Sequence, residues 1–200
     1  MHEQFDELIR GAKAGDDRAI NDVLAASRSY LNVLAAARTE PWMRAKFDPS
    51  DVVQQTLVDA NGALGRFDGE SEGQWKAYLK QMLLNNLQDA IRQYRVAERR
   101  NVDRERDLHF NDGGLRPLAN QDPTPSRTAA DAERDFELAA AIDSLPDDYR
   151  EVVIARNLRK EPFSQIADAM GRSEAATQML WTRAIRKLQS VLQGRSELAD

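Results

Sequence analysis

One stretch of this sequence brings aromatic, amide and arginine side chains together at helical spacing. Tyr78, Asn85, Asp89 and Arg92 follow one another at steps of seven, four and three residues, so they form one stripe along a helix. An aromatic ring can stack on a base, an amide can bond to a base edge, and arginine neutralises phosphate. These groups together suit contact with single-stranded nucleic acid. Further arginines follow in the same stretch: Arg95, Arg99, Arg100, Arg104 and Arg106.

A glycine-rich segment, GRFDGESEG at residues 65–73, precedes that stripe. Its glycines allow a close approach of backbone to a nucleotide, and Phe67 offers a stacking face, so we expect this loop to form the wall of a pocket for an unstacked base. Asp89 is expected to orient Arg92 rather than touch DNA, because a bare carboxylate repels phosphate. The alternative is purely structural: Asn85 and Asp89 tie the helix to its neighbours, as buried polar groups usually do. Trp75, at the start of the stretch, is interpreted as core.

The second group of candidate residues lies in FSQIADAMGRSEAATQMLWTRAIRKL, residues 163–188. The pattern is typical of a helix, a turn at Gly171 and a second helix capped by Ser173. At 100° per residue the second helix separates an apolar face from a face that could read base edges and phosphates in a major groove. On this stretch alone, a helical hairpin with a merely solvated outer face remains the alternative. The candidate DNA-reading residues are Ser173, Ala175, Gln178, Met179, Thr182, Arg183 and Arg186.

Composition argues against several classes of protein. The only histidines are His2 and His109, there is no cysteine, and no P-loop, GxSxG or HExxH pattern occurs, so we expect no enzyme, no metal and no cofactor. No apolar run could span a bilayer and no signal peptide is recognisable, which favours a cytoplasmic protein without membrane insertion. The net charge of -5 is unexpected for a protein that binds a polyanion.

The elements that position these residues are helical almost throughout, and the predicted fold class is all-α. Asp48 and Pro49 form a helix start, Ser71 and Gln74 have the spacing of a capping box, and Asn86 falls inside an apolar face where its amide needs partners. Residues 107–130 contain three prolines, two adjacent glycines and few large apolar residues. We therefore predict an N-terminal helical domain at 1–106, a flexible linker at 107–130 and a C-terminal helix-turn-helix domain at 131–200.

The ordered set of motifs resembles a family, the extracytoplasmic function (ECF) type of the sigma-70 RNA polymerase sigma factors. DPSDVVQQTLVDA is similar to the family's helix that docks on the polymerase clamp helices. The aromatic–Leu…Asn…Asp…Arg spacing of the helix that melts and reads the minus-ten element falls on Tyr78, Leu79, Asn85, Asp89 and Arg92. SLPDDYREVVIARNL and the helix–turn–helix after it resemble the domain that reads the minus-thirty-five element. Tyr78 stands where the family usually has tryptophan.

The resemblance implies that this chain directs core RNA polymerase to promoters and helps open them. It implies core polymerase and promoter DNA, as upstream duplex and melted minus-ten strand, as partners; an anti-sigma factor often restrains this family. Because polymerase then supplies much of the nonspecific DNA affinity, an acidic chain fits. The alternative function is a stand-alone helix-turn-helix regulator, which leaves the arginines after Arg92 unexplained. The resemblance assigns polymerase binding to Asp51, Val53, Gln54 and Gln55.

Overall fold

The computed structural model describes residues 2–39, 43, 46–102 and 129–196, and all regular structure within these ranges is helical. The all-α prediction is thus confirmed. The predicted linker lies outside the described residues except for Ala129 and Ala130, which are the first residues of a helix. The helices are α1 (His2–Lys13), α2 (Asp17–Arg38), α3 (Pro49–Leu64), α4 (Glu72–Val102), α5 (Ala129–Asp143), α6 (Asp147–Val153) with a π-helical continuation (Ile154–Leu158), α7 (Phe163–Met170) and α8 (Glu174–Ser196).

The starts of α3 and α4 are set by side-chain caps. Asp48 Oδ1 accepts a hydrogen bond from the Ser50 N–H at 2.8 Å, and Pro49 occupies the first turn. Gln74 Oε1 accepts from the Ser71 N–H at 3.2 Å, while Ser71 Oγ accepts from the Gln74 N–H at 3.4 Å. This reciprocal pair is the capping box, which satisfies backbone donors that have no partner inside the helix. Both predicted helix starts are therefore confirmed.

The turn between α7 and α8 depends on one residue in the left-handed conformation. Gly171 has φ 63° and ψ 36°, which glycine adopts without steric cost. The Arg172 N–H then donates to the Ala167 carbonyl at 2.9 Å, which closes α7. Ser173 Oγ accepts from the Ala176 N–H at 3.2 Å and so caps α8. The predicted helix-turn-helix is present in the structure.

Helix α2 is the centre of the first hydrophobic core, which it forms with α1, α3 and α4. Trp75 at the start of α4 is completely buried, and its indole Nε1 donates to Ser27 Oγ of α2 at 2.9 Å. The indole therefore keeps a hydrogen-bond partner inside the core, as buried tryptophan normally requires. The interpretation of Trp75 as core is confirmed. The largest fully buried side chains around it are Ile9, Val23, Leu31, Leu64, Leu79, Leu83 and Leu87.

A second core joins α5, α6, α7 and α8. Ile142, Leu145, Ile154 and Ile166 are almost fully buried in it, with Val33 contributed by α2. Helix α5 takes part in both cores, because its Phe136 packs into the first one. The two halves of the described chain therefore pack against each other along α2 and α5.

Candidate nucleic-acid interface

The stripe on α4 faces solvent. Asn85, Asp89 and Arg92 are exposed. Gln81 Nε2 donates to Asn85 Oδ1 at 3.0 Å, and the Arg92 guanidinium lies 3.5 Å from Asp89 Oδ1. Both contacts stay within α4 and do not tie it to a neighbouring helix. This geometry suits side chains available to a ligand better than the purely structural alternative does.

Tyr78 begins the stripe at the edge of an aromatic cluster and is partly exposed. Its ring centroid lies 5.2 Å from that of Phe67 and 5.9 Å from that of Trp75. Phe67 in turn meets Trp75 edge-to-face, with 5.1 Å between centroids. Such pairs add about 0.5–1.5 kcal/mol beyond their burial. Tyr78 is thus packed against two buried rings while the residue as a whole stays partly exposed.

The expected role of Phe67 must be corrected. Its side chain is only 8% exposed and belongs to the first core, so its ring is not available to stack on a base. Phe67 can be buried in this way because its ring lies close to the backbone of Gly69, which has no side chain. A Cβ on Gly69 would lie 2.8 Å from Phe67 Cε1 and 3.0 Å from Gln74 Cβ. The loop backbone therefore approaches the protein's own phenylalanine, and the ring supports Tyr78 from beneath.

Helix α3 presents a second surface, and here too one predicted residue must be corrected. Asp51, Gln54 and Gln55 are exposed, but Val53 is only 3% exposed and lies in the first core. Its side chain cannot reach a partner without unpacking that core. Sequence reasoning missed Val58, which is 66% exposed on the same helix. The sequence does indicate that Val58 is exposed, because it stands four residues after Gln54 and outside the apolar stripe of the helix.

A polar network joins α3 to α4 beneath these surfaces. Asn86 Nδ2 donates to Asp59 Oδ2 at 2.8 Å and to Thr56 Oγ1 at 3.1 Å. Gln55 Nε2 donates to the other oxygen of Asp59 at 2.8 Å. The amide that the sequence placed inside an apolar face has thus found its partners, as predicted. The network also holds the exposed face of α3 in a defined position beside the stripe on α4.

Helix α8 has one buried apolar face and one exposed face, as the spacing of 100° per residue predicted. Thr177, Ala184 and Leu188 are buried against the second core. The opposite face is exposed along its length, and Met179 keeps 57% of its surface accessible. An exposed row of apolar, amide, hydroxyl and guanidinium groups has the chemistry that reads base pairs in a major groove. The exposed candidates are Ser173, Ala175, Gln178, Met179, Thr182, Arg183 and Arg186.

Two candidate residues cannot be placed. Arg95 and Arg99 belong to the last part of α4, and their side chains lie outside the described residues.

In the part of the chain that is described, no helix combines the length and apolar character needed to cross a membrane.

The C-terminal helix-turn-helix region, and the chain as a whole, are similar to known RNA polymerase sigma factors. A family model described as sigma-70, region 4 matches residues 135–188, which run from the middle of α5 through most of α8. The ECF RNA polymerase sigma factor SigD of Mycobacterium tuberculosis is 23% identical over 197 residues, covering 98% of this chain and 88% of its own length. SigD of Mycobacterium bovis matches to the same extent.

Two solved structures are also similar to this chain. CnrH in complex with the cytosolic domain of CnrY is 23% identical, covering 94% of this chain and 97% of its own, with a TM-score of 0.35. The sigma factor RpoE in complex with the anti-sigma factor NepR, from Bartonella quintana, is 21% identical, with coverages of 88% and 95% and a TM-score of 0.31.

The helix-turn-helix, its exposed face and the matched region define an RNA polymerase sigma factor of the sigma-70 family. The relatives extend the match over nearly the whole chain. The curated relatives that match nearly the whole chain are sigma factors of the ECF type.

The contact of Phe67 with Gly69 can be tested by adding one methyl group. We expect Gly69→Ala to lower the free energy of unfolding by about 1–3 kcal/mol, because the methyl would displace the ring and disturb its packing on Trp75. The matched control is Gly65→Ala, since a Cβ there meets nothing within 4 Å. Urea titration followed by circular dichroism measures both. Equal stability of the two variants would contradict the close approach.

Proposed function

We propose that this sigma factor docks on core polymerase through α3 and reads a promoter at two places. Helix α4 holds the opened minus-ten strand, and α8 reads the duplex minus-thirty-five element. The domains carrying these tasks are residues 1–106 and 131–200, joined by the segment 107–130. The observation that carries the proposal is the presence of polar side chains on exposed faces of three helices whose opposite faces are buried in two cores.

The exposed face of α3 suits a protein partner better than DNA. The helix, PSDVVQQTLVDANGAL, contains no lysine, arginine or histidine, so it cannot neutralise phosphates. Asp51, Gln54 and Gln55 are exposed one to two turns before the exposed apolar Val58. An apolar centre with a polar rim is the usual anatomy of a protein–protein contact. We assign this face to polymerase, with Val58 replacing the buried Val53 in the predicted set.

The exposed face of α8 has the groups for direct readout. Arg183 can bond bidentately to guanine, Gln178 to adenine, and the apolar Met179 can contact a thymine methyl group. Thr182 Oγ1 is engaged with the Gln178 carbonyl at 2.9 Å, so its methyl group is the part best placed to face DNA. Arg186 is suited to a phosphate. The residues proposed to read bases therefore come first along α8, and the residue proposed to contact a phosphate, Arg186, follows about one turn after Arg183.

The stripe on α4 has the groups for a melted strand. Tyr78, which packs on Phe67 and is partly exposed, is the residue we assign to stacking, an interaction typically worth about 1–3 kcal/mol per base. Asn85 can bond to a base edge, and Arg92, oriented by Asp89, can neutralise a phosphate. Arg95 and Arg99 continue the phosphate contacts in this proposal. Stacking on this scale helps offset the few kcal/mol that unpairing a base costs.

The acidic net charge of the chain is consistent with a sigma factor that binds promoters together with polymerase. With a net charge of -5, the free protein has little nonspecific attraction for DNA, so promoter binding depends on the polymerase that carries it. We place the protein in the cytoplasm and give it a binding role rather than a catalytic one, without cofactor. An anti-sigma factor fits as a further partner, since RpoE was solved in complex with one.

The docking face is tested by Asp51→Ala combined with Gln54→Ala. We expect about tenfold weaker binding to core polymerase, because a combined loss of about 1.4 kcal/mol from the two side chains already has that effect. The measurement is a fluorescence titration of labelled protein with core enzyme. The matched control is Asn21→Ala with Asp22→Ala, an equally exposed amide and carboxylate on α2. Equal affinity of the two double variants would remove α3 from the interface.

The stripe is tested by Asn85→Ala in reconstituted holoenzyme. We expect the variant to occupy the promoter duplex but open it poorly, because it lacks the amide that holds an unpaired base. Permanganate reactivity of unpaired thymines measures opening, and a promoter with a pre-melted bubble should restore transcription. Asn21→Ala is the control for loss of an exposed amide. If Asn85→Ala instead lowers thermal stability and a bubble rescues nothing, the residue is structural.

A further inference from the structure

The connection between α6 and α7 contains a lysine in a backbone conformation that its side chain disfavours. Lys160 has a φ of 61°, and no other non-glycine residue in the described ranges has a positive φ. In this left-handed region the Cβ atom of an L residue lies too close to a carbonyl oxygen, so glycine is the residue that normally occupies it. Backbone outliers of this kind are concentrated at functional sites. The presence of a lysine here therefore points to a use for its side chain.

The backbone next to Lys160 is fixed by hydrogen bonds to its neighbour in sequence. The Glu161 N–H donates to the Ala155 carbonyl at 3.0 Å, and the Glu161 carbonyl accepts from Arg156 Nη1 at 2.9 Å. Glu161 is thus bonded through both of its main-chain groups to the end of the preceding helix. The chain reaches this fixed position through the left-handed turn at Lys160, so the place of the lysine in the fold is well defined.

The fold makes no use of the Lys160 ammonium. Lys160 is exposed, and its side chain has no hydrogen bond or ion pair to any residue that the structure describes. The other basic side chains between residues 150 and 172 all have partners within the chain, namely Arg150 on the Leu145 carbonyl, Arg156 on the Glu161 carbonyl, Arg159 on Glu151 and Glu161, and Arg172 on Asp148. The charge of Lys160 is therefore available to a partner outside the chain.

Two contacts of Trp181 place this turn beside helix α8. The Trp181 Nε1 donates to Asn157 Oδ1 at 2.9 Å, and its ring meets that of Phe163 edge-to-face with 5.8 Å between centroids. Asn157 stands three residues before Lys160, and Phe163 stands three residues after it. Both flanks of the turn therefore contact α8 at the residue directly before Thr182, which belongs to the face that we assign to DNA.

The docking geometry of a helix-turn-helix brings this turn close to the sugar–phosphate backbone. When the second helix of the motif lies in the major groove, the first helix crosses the backbone of the duplex. That first helix is α7, which begins at Phe163, three residues after Lys160. Duplex DNA carries one negative charge per about 1.7 Å of its axis, so a free ammonium at this place has phosphates within reach. Lysine suits such a contact because its ammonium is a point charge on a flexible stem.

We infer that Lys160 binds a phosphate of the upstream duplex at the edge of the α8 reading face. The inference rests on the proposed reading of duplex DNA by α8 and adds a contact outside that helix. A phosphate contact fixes the position of the motif on the duplex and carries no sequence information, so it strengthens binding to every sequence equally. It also supplies attraction at the reading surface of a chain whose net charge of -5 gives none.

Lys160→Gly tests the contact, because it removes the ammonium and relieves the positive φ at the same time. The measurement is the affinity of reconstituted holoenzyme, at several salt concentrations, for a duplex carrying the upstream element that the wild-type holoenzyme selects. We expect the slope of log K against log salt to fall in magnitude by about 0.9, which amounts to about eightfold weaker binding at 0.1 M salt. Urea titration of the free chain should give a midpoint at least as high as that of the wild type, since glycine is favoured at this φ. Equal salt slopes for variant and wild type overturn the inference.

Two further variants separate the charge of Lys160 from its backbone conformation. Lys160→Arg keeps the charge and should keep the wild-type slope, whereas Lys160→Asn, which is neutral and tolerates a left-handed φ, should lose as much slope as the glycine variant. The matched control is Arg18→Gln, which removes one exposed positive charge from α2 and should leave the slope unchanged. If Lys160→Gly lowers the urea midpoint, the arginine and asparagine variants decide, and equal slopes for these two overturn the inference.

Sequence selection separates this inference from the proposed function. Holoenzyme carrying Lys160→Gly should select the same upstream element as the wild type, and a changed preference would contradict a phosphate contact. A wild-type holoenzyme that selects no upstream element contradicts the proposed function, on which the contact rests. An upstream element that is selected but bound with the same salt slope by wild type and Lys160→Gly contradicts the contact alone.

Discussion

The burial of α2 on two opposite sides is the constraint on which the rest of the structure depends. Leu31 is completely buried in the first core, and Val33, two residues later and about 200° around the helix, is 7% exposed in the second. A helix that is apolar on one side only would support one domain. Because α2 supplies residues to both cores, it positions α3 and α4 on one side and the helix-turn-helix on the other.

The functional surfaces follow from how the remaining helices meet this support. Helices α3 and α4 bury their apolar stripes and are joined by Asn86, which bonds to Asp59 and Thr56. Gln55, on the face assigned to polymerase, bonds to the same aspartate. A continuous hydrogen-bonded path therefore runs from the proposed docking face to the helix proposed to open the promoter. In such a network a shift at one end has a physical route to the other.

Local features of this fold were predictable, and long-range packing was not. The caps at Asp48 and Ser71 and the turn at Gly171 depend on residues within five positions of one another, so their chemistry is visible in the sequence. The burial of Val53 and Phe67 depends on which face of a helix or loop meets the core, and motif similarity does not report that. The bond from Asn32 to Asp143 joins residues 111 positions apart. No periodicity encodes such a contact.

Promoter selection by reconstituted holoenzyme tests the central claim most directly. Core polymerase and this chain are supplied with templates carrying random upstream sequence, and the transcripts are sequenced with their start sites. We expect starts preceded by two elements with fixed spacing, of which Gln178→Ala changes only the upstream one, because Gln178 lies on the exposed face of α8. Starts indistinguishable from those of core polymerase alone, or selection of one duplex site by the chain without polymerase, would contradict the account.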